Sequence, residues 1–156
     1  MSTSIGADGC HHRIDRLTAR RTLFSAHTEG ETRVAPASGT TTRIGIIGSG
    51  GIAKAHARAY KEIEGLEIVA VSDVVDGKAG AFIDELELHG AKAFTDHVEA
   101  LAESHLDGVS VCTPNIAHHR VSVDALNAGV HVLTEKPMAV TLDQAVEMEQ
   151  TARRTG

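Results

Sequence analysis

The sequence predicts an α/β fold: one doubly wound parallel sheet of strand order 3-2-1-4-5, with helices on both faces, over residues 43–156. Three observations predict it. A short apolar run, Arg43-Ile44-Gly45-Ile46-Ile47, leads through the glycine turn Gly48-Ser49-Gly50-Gly51 into a helical stretch. From there β-branched runs alternate with Ala-rich helical ones, and glycines or capping residues separate them. Chemistry-bearing residues follow the C-terminal ends of the apolar runs, the edge where open α/β sheets bind ligands.

Strand one covers 43–47. The first helix runs over 52–63 with Tyr60 and Ile63 facing inward, and Gly65 ends it. Leu66–Ser72 reads as strand two, nearly continuous in apolar character, as a strand buried on both faces should be. Asp73 stands at its end. A second helix spans 77–88 and carries Ala81, Phe82, Leu86 and Leu88; Gly90 breaks it, and Lys92-Ala93-Phe94 forms a short third strand. Asp96 is placed to cap a helix at 97–104. Gly108–Cys112 is strand four, ended by Thr113-Pro114-Asn115 because proline cannot continue a central ladder. A helix over 116–128 closes at Gly129. Strand five is 130–133, followed by Thr134-Glu135-Lys136-Pro137. Thr141 caps a last helix at 142–154, with Leu142, Ala145, Val146 and Met148 on its apolar side. Parallel neighbours need right-handed crossovers, which puts the helices on both faces and the ligand between strands one and four.

Gly48, Gly50 and Ala53 fall on the G-x-G-x-x-G/A spacing of a dinucleotide-binding turn. At Gly48 the chain must reverse where a Cβ would clash. Gly50 lets backbone approach a pyrophosphate, and Ala53 lets the helix pack closely on its strand. Gly51, Ile52 and Ala53 open the helix, so their N–H groups and the positive dipole end face the phosphates. The same turn would serve structure alone, and a methyltransferase also uses a glycine-rich first turn and an acid after the second strand. A P-loop is excluded, because Ala53-Lys54-Ala55 stands where that pattern needs Gly-Lys-Ser/Thr.

Asp73, 25 positions beyond Gly48, is the candidate acid for the adenosine ribose. A carboxylate there accepts from both ribose hydroxyls and repels a 2′-phosphate, and no Arg follows at 74 or 75. NAD is therefore favoured over NADP.

Composition narrows the function classes. The net charge of −6 argues against nucleic acid or an anionic membrane as the main partner. Residues 1–43 carry six Lys/Arg against four Asp/Glu, so the acidic part is the part expected to fold. Only Cys10 and Cys112 are present, which excludes a disulfide framework and points to the cytoplasm. No apolar run approaches the ~20 residues that span a bilayer. Residues 1–42 show no sustained period and read as a low-complexity, disordered extension. Arg20-Arg21 and Ala35-Pro36-Ala37 faintly suggest an export signal, but His27, Glu29, Glu31 and Arg33 interrupt the apolar stretch it needs. Cys10-His11-His12 has no second ligand pair, and His97 with His105 lacks a third ligand, so no metal site is expected.

Three stretches together resemble one known family. They are Ile44-Gly45-Ile46-Ile47-Gly48-Ser49-Gly50-Gly51-Ile52-Ala53, Cys112-Thr113-Pro114-Asn115 with His118, and Ala128-Gly129-Val130-His131-Val132-Leu133-Thr134-Glu135-Lys136-Pro137. In them the chain resembles the N-terminal, NAD(P)-binding Rossmann domain of the Gfo/Idh/MocA oxidoreductases. Glu135-Lys136-Pro137 is the most distinctive match, and it tells against a methyltransferase. The resemblance implies hydride transfer between nicotinamide and a hydroxyl carbon of a sugar or polyol. It implies that Lys136 is the catalytic acid/base, a role an amine can fill by exchanging the hydroxyl proton as hydride leaves the carbon. It implies that Thr113, Pro114 and Asn115 line the nicotinamide-side ribose, that Glu135 bonds that ribose or places Lys136, and that Pro137 follows a frequently cis peptide. The family counterpart of His118 faces the cleft; the residue pattern alone reads equally as a helix-surface histidine. Family members continue with a sixth strand and a second domain that carries substrate residues and much of the oligomer interface. On that comparison the chain is a fragment that binds cofactor without full turnover. The alternative reading is a non-catalytic NAD(H)-binding module.

Overall fold

The computed structural model describes residues 41–156. The expectations for the extension, for Cys10-His11-His12 and for Arg20-Arg21 lie outside those residues, except that Thr42 already opens the first strand. Ten elements follow in order: β1 (Thr42–Ile47), α1 (Gly51–Lys61), β2 (Leu66–Ser72), α2 (Lys78–Glu85), β3 (Lys92–Phe94), α3 (His97–Glu103), β4 (Gly108–Val111), α4 (Asn115–Asn127), β5 (His131–Thr134) and α5 (Leu142–Thr155). All strands pair in parallel, in the order β3-β2-β1-β4-β5. The expected fold class and strand order are those observed.

The sheet is apolar on both faces because each face receives helices. Ile46, Ile68 and Val71 pack with Ala53 and Ala57 of α1 and with Ala79 and Phe82 of α2. Ile47, Val69, Ala70, Val109 and Val111 pack on the other side with Ala100 of α3 and with Val121 and Ala125 of α4. Burying a side chain such as Phe82 is worth about 1.5–3 kcal/mol. Strict alternation would send Val69 and Ala70 to opposite faces. They share one because the β1–β2 register shifts between Ile44 and Gly45, leaving Ile44 opposite Ile68 and Gly45 opposite Ala70. Val69 is the extra residue of a bulge.

The caps are those the sequence announces: the Asp96 carboxylate accepts the Val98 N–H at 2.9 Å, and the Thr141 hydroxyl accepts the Gln144 N–H at 3.3 Å. Two packing expectations are corrected. The first helix ends at Lys61, so Ile63 lies beyond it and is 49% exposed. In α5, Met148 and Thr151 are buried but Leu142 is 79% exposed and Val146 is exposed too. Only one stripe of α5 is covered, and Leu142 begins the helix outside it. Among the described residues no helix is long and apolar enough to cross a membrane.

Candidate functional site

Four chain reversals meet at the C-terminal edge of the sheet. The first is the glycine turn. Gly48 has φ +91°, and a Cβ there would stand 2.7 Å from the carbonyl carbon and oxygen of Cys112 and the amide nitrogen of Thr113. Only glycine lets β1 turn while touching the end of β4. Gly50 and Gly51 are different: beyond the adjoining backbone of the turn and helix, nothing lies within 4 Å of the Cβ either would carry. Gly50 is the N-cap of α1 and gives it no side-chain cap. The first N–H groups of α1 thus face open space with the positive end of the dipole, which suits an anion. Ala53 is fully buried, as close helix packing requires.

The second reversal follows β2. Asp73 is 8% exposed, and its carboxylate is fully engaged. Oδ2 accepts the Ser49 N–H at 3.0 Å and the Ser49 hydroxyl at 2.6 Å, with the Lys78 ammonium at 3.2 Å. Oδ1 accepts the Val75 N–H at 3.0 Å. Burial pushes the carboxyl upward, but the bonds from Ser49, Val75 and Lys78 outweigh it and hold the group at about 2. Asp73 therefore ties the glycine turn to the end of β2. Lys78, a residue the sequence reading passed over, stands where it faces any group bound at Asp73.

The third and fourth reversals follow β4 and β5. The Thr113 and Thr134 hydroxyls are buried without a protein hydrogen-bond partner, and both sit at strand ends on this edge. Pro114 and Asn115 start α4, again with no side-chain cap. Glu135 receives the Lys136 N–H on Oε2 at 3.2 Å and the His56 ring on Oε1 at 2.9 Å. The His56 bond first, and then the Lys136 amide, hold its carboxyl below the ordinary range. The Lys136–Pro137 peptide is cis, and Lys136 is exposed.

His118 is not open to the cleft. It is 2% exposed and bridges two loops: Nδ1 lies 2.9 Å from the Pro137 carbonyl and Nε2 lies 2.9 Å from the Thr113 carbonyl. Both partners are carbonyl oxygens, so the ring N–H donates to one of them and the ring packs against the other. It clamps the β4 and β5 loops together. Neighbouring His119 turns away to Glu147 at 2.9 Å. His97 pairs with Asp124 at 3.0 Å. Among the described residues no group of three or more His, Cys, Asp or Glu side chains gathers as a metal site. Cys112 is a buried free thiol, and burial raises it, which leaves it inert as a nucleophile.

Four features of this edge fit a dinucleotide: an uncapped helix start, two glycines with no obstructing atoms, a carboxylate after β2 and two orphaned hydroxyls. The sequence spacing foretold the glycines, Asp73 and the two loops. It passed over His56, whose partners lie 54 and 79 positions away, and Lys78, whose side chain returns to Asp73 across the loop after β2. Of the two readings of His118, the helix-surface one is wrong, because the ring is buried.

Comparison with known proteins agrees with the geometry. Residues 42–156 match the sequence model of the Gfo/Idh/MocA family, described as an oxidoreductase family with an NAD-binding Rossmann fold. The chain is 41% identical over 112 residues to glucose-6-phosphate 3-dehydrogenase of Bacillus subtilis, which covers 72% of this chain and 31% of that protein. It is 37% identical over 114 residues to inositol 2-dehydrogenase of Salmonella typhimurium, covering 70% of this chain and 34% of that protein. Among solved structures, myo-inositol dehydrogenase from Lactobacillus casei with NAD(H) and myo-inositol superposes with a TM-score of 0.67 and 30% identity, over 72% of this chain and 33% of that one. WlbA dehydrogenase from Bordetella pertussis with NADH and UDP-GlcNAcA gives a TM-score of 0.71 and 27% identity, over 78% and 34%. The chain thus spans about a third of the length of the curated relatives it matches.

Proposed function

The chain belongs to the Gfo/Idh/MocA oxidoreductase family, whose N-terminal domain is an NAD-binding Rossmann fold, and from that premise we propose that it is the nucleotide-binding part of a sugar or polyol dehydrogenase. The observation that carries the reading is the meeting of four groups at one sheet edge: the uncapped α1 start, Asp73, the Thr113 loop and Glu135-Lys136-Pro137. The N–H groups of Gly51, Ile52 and Ala53 hold the pyrophosphate. Asp73 takes one adenosine ribose hydroxyl by exchanging the Ser49 hydroxyl for it, and the other by displacing the Lys78 ammonium. The orphaned Thr113 hydroxyl, with Pro114 and Asn115, receives the nicotinamide-side ribose, and Glu135 offers that ribose its remaining lone pairs. His118 sets the width of that half of the cleft by clamping Thr113 to Pro137.

Bound NAD supplies the hydride acceptor. Lys136 takes the substrate hydroxyl proton as the carbon gives up hydride, and returns it in the reverse direction. The relatives named for glucose 6-phosphate and inositol support a hydroxyl-bearing ring as substrate. The free, buried Cys112 thiol fits a reducing cytoplasm.

The test is NADH binding by the purified chain, read by fluorescence, with S-adenosylmethionine as comparator and Asp73→Ala as control. Saturable NADH binding, weakened at least tenfold by Asp73→Ala, supports the reading. A folded chain that ignores NADH, or prefers S-adenosylmethionine, refutes it.

A further inference from the structure

His56 lies on α1, two turns from the glycine turn, and the sequence gives no reason to single it out. The fold places it between two other elements. Its Nδ1 stands 2.6 Å from the Ser110 hydroxyl on β4, and its Nε2 stands 2.9 Å from Glu135 Oε1 beyond β5. A carboxylate only accepts, so Nε2–H donates to Glu135; in that tautomer Nδ1 accepts the Ser110 O–H. The second Glu135 oxygen accepts the Lys136 N–H at 3.2 Å. Glu135 is therefore held at both oxygens, once by a distant helix and once by the next residue.

Ser110, His56 and Glu135 have the residue types of a nucleophilic triad, but the Ser110 hydroxyl cannot attack a substrate because Ser110 is 0% exposed. The order of the bonds points elsewhere: from the buried strand, through the imidazole, out to the ligand edge. An unrestrained glutamate loses rotamer freedom when it meets a ligand, and a glutamate already fixed does not.

We propose that His56 is a positioning residue for Glu135, and that by fixing this carboxylate it sets the grip of the cleft on the nicotinamide-side ribose. The inference rests on the dinucleotide reading above. It assigns a selective effect: losing the His56–Glu135 bond weakens ligands that reach the second ribose and spares those that occupy the adenosine half alone.

NADH and ADP titrations separate the two, with thermal melts of every variant. Asn at position 56 reaches Ser110 but falls short of Glu135; Gln reaches Glu135. Wild-type protein is expected to bind both nucleotides. His56→Asn weakens NADH about tenfold and changes ADP less than twofold, while His56→Gln keeps NADH within about threefold of wild type. Glu135→Ala reproduces the NADH-selective loss, and adding His56→Asn to it costs nothing more. Equal losses for NADH and ADP in His56→Asn, an unchanged NADH affinity, or additive effects in the double variant overturn the inference while leaving the dinucleotide reading intact. If His56→Asn does not fold, His56→Gln decides: retained NADH affinity supports the inference, and a tenfold or non-selective loss overturns it. A folded wild-type chain that binds neither nucleotide overturns both.

Discussion

Two glycines two residues apart have opposite expected phenotypes, and the contrast tests the site from geometry alone. A methyl group at Gly48 would meet three backbone atoms of Cys112 and Thr113 at 2.7 Å, well inside contact distance, and the residue holds φ +91°. Strain at positive φ costs about 1–2 kcal/mol, and pushing the end of β4 off its place costs a further ~1–3 kcal/mol. Gly48→Ala is thus expected to lose about 2–5 kcal/mol, a fall in melting temperature of roughly 8–20 °C for a domain of this size. Gly50 has φ −79° and, beyond its chain neighbours, no protein atom within 4 Å of its would-be Cβ. Gly50→Ala therefore keeps its melting temperature within a few degrees, because alanine adopts that backbone freely. Its NADH affinity falls at least tenfold, because the methyl stands where the pyrophosphate must approach. Urea denaturation and NADH fluorescence titration read the two variants. A Gly48→Ala protein as stable as wild type would refute the close-approach argument. A Gly50→Ala protein that binds NADH normally would show that the pyrophosphate does not lie on this turn.

Asp73 gives a pH signature. Its folded value of about 2 lies below its ordinary value near 3.8, so its stabilisation is full above pH 4 and is lost as pH falls from about 4 to 2. Discounted for the solvent beside Lys78, the effect is about 1–2 kcal/mol. The stability gap between wild type and Asp73→Asn in urea should shrink across that window; a gap that is constant with pH refutes the assignment. Lys78 carries the cofactor-choice prediction. Its ammonium, 3.2 Å from Asp73, would offset the repulsion between Asp73 and a 2′-phosphate. Lys78→Glu should raise the ratio of NADPH to NADH dissociation constants about five- to tenfold, and an unchanged ratio rules out that role.

Much of this site was legible before folding, for a physical reason. The glycine turn, the Asp96 and Thr141 caps and the apolar strand runs are set by forces acting within a few residues: φ restrictions, capping bonds and the periodicity of buried faces. The glycine turn and the repeated strand–helix units then match the doubly wound order 3-2-1-4-5, and strand ends place Gly48, Asp73, Thr113 and Glu135 on one edge. The short-range signal failed where the answer depended on which distant atoms arrive. Ile63 and Leu142 look like core residues by period and are exposed, because nothing packs over them.

What the sequence by itself determined is the frame: a parallel α/β sheet, a dinucleotide turn and four chemically equipped strand ends. What only the tertiary structure decided is how those ends are tied together. His118 spans from α4 to two carbonyls, His56 joins α1 to β4 and β5, and Lys78 folds back on Asp73. His56 and its two partners are 54 and 79 positions apart, and no local rule relates them. A hydrogen bond needs its donor and acceptor within about 3 Å, and at such separations only the packing of helices onto the sheet brings them there.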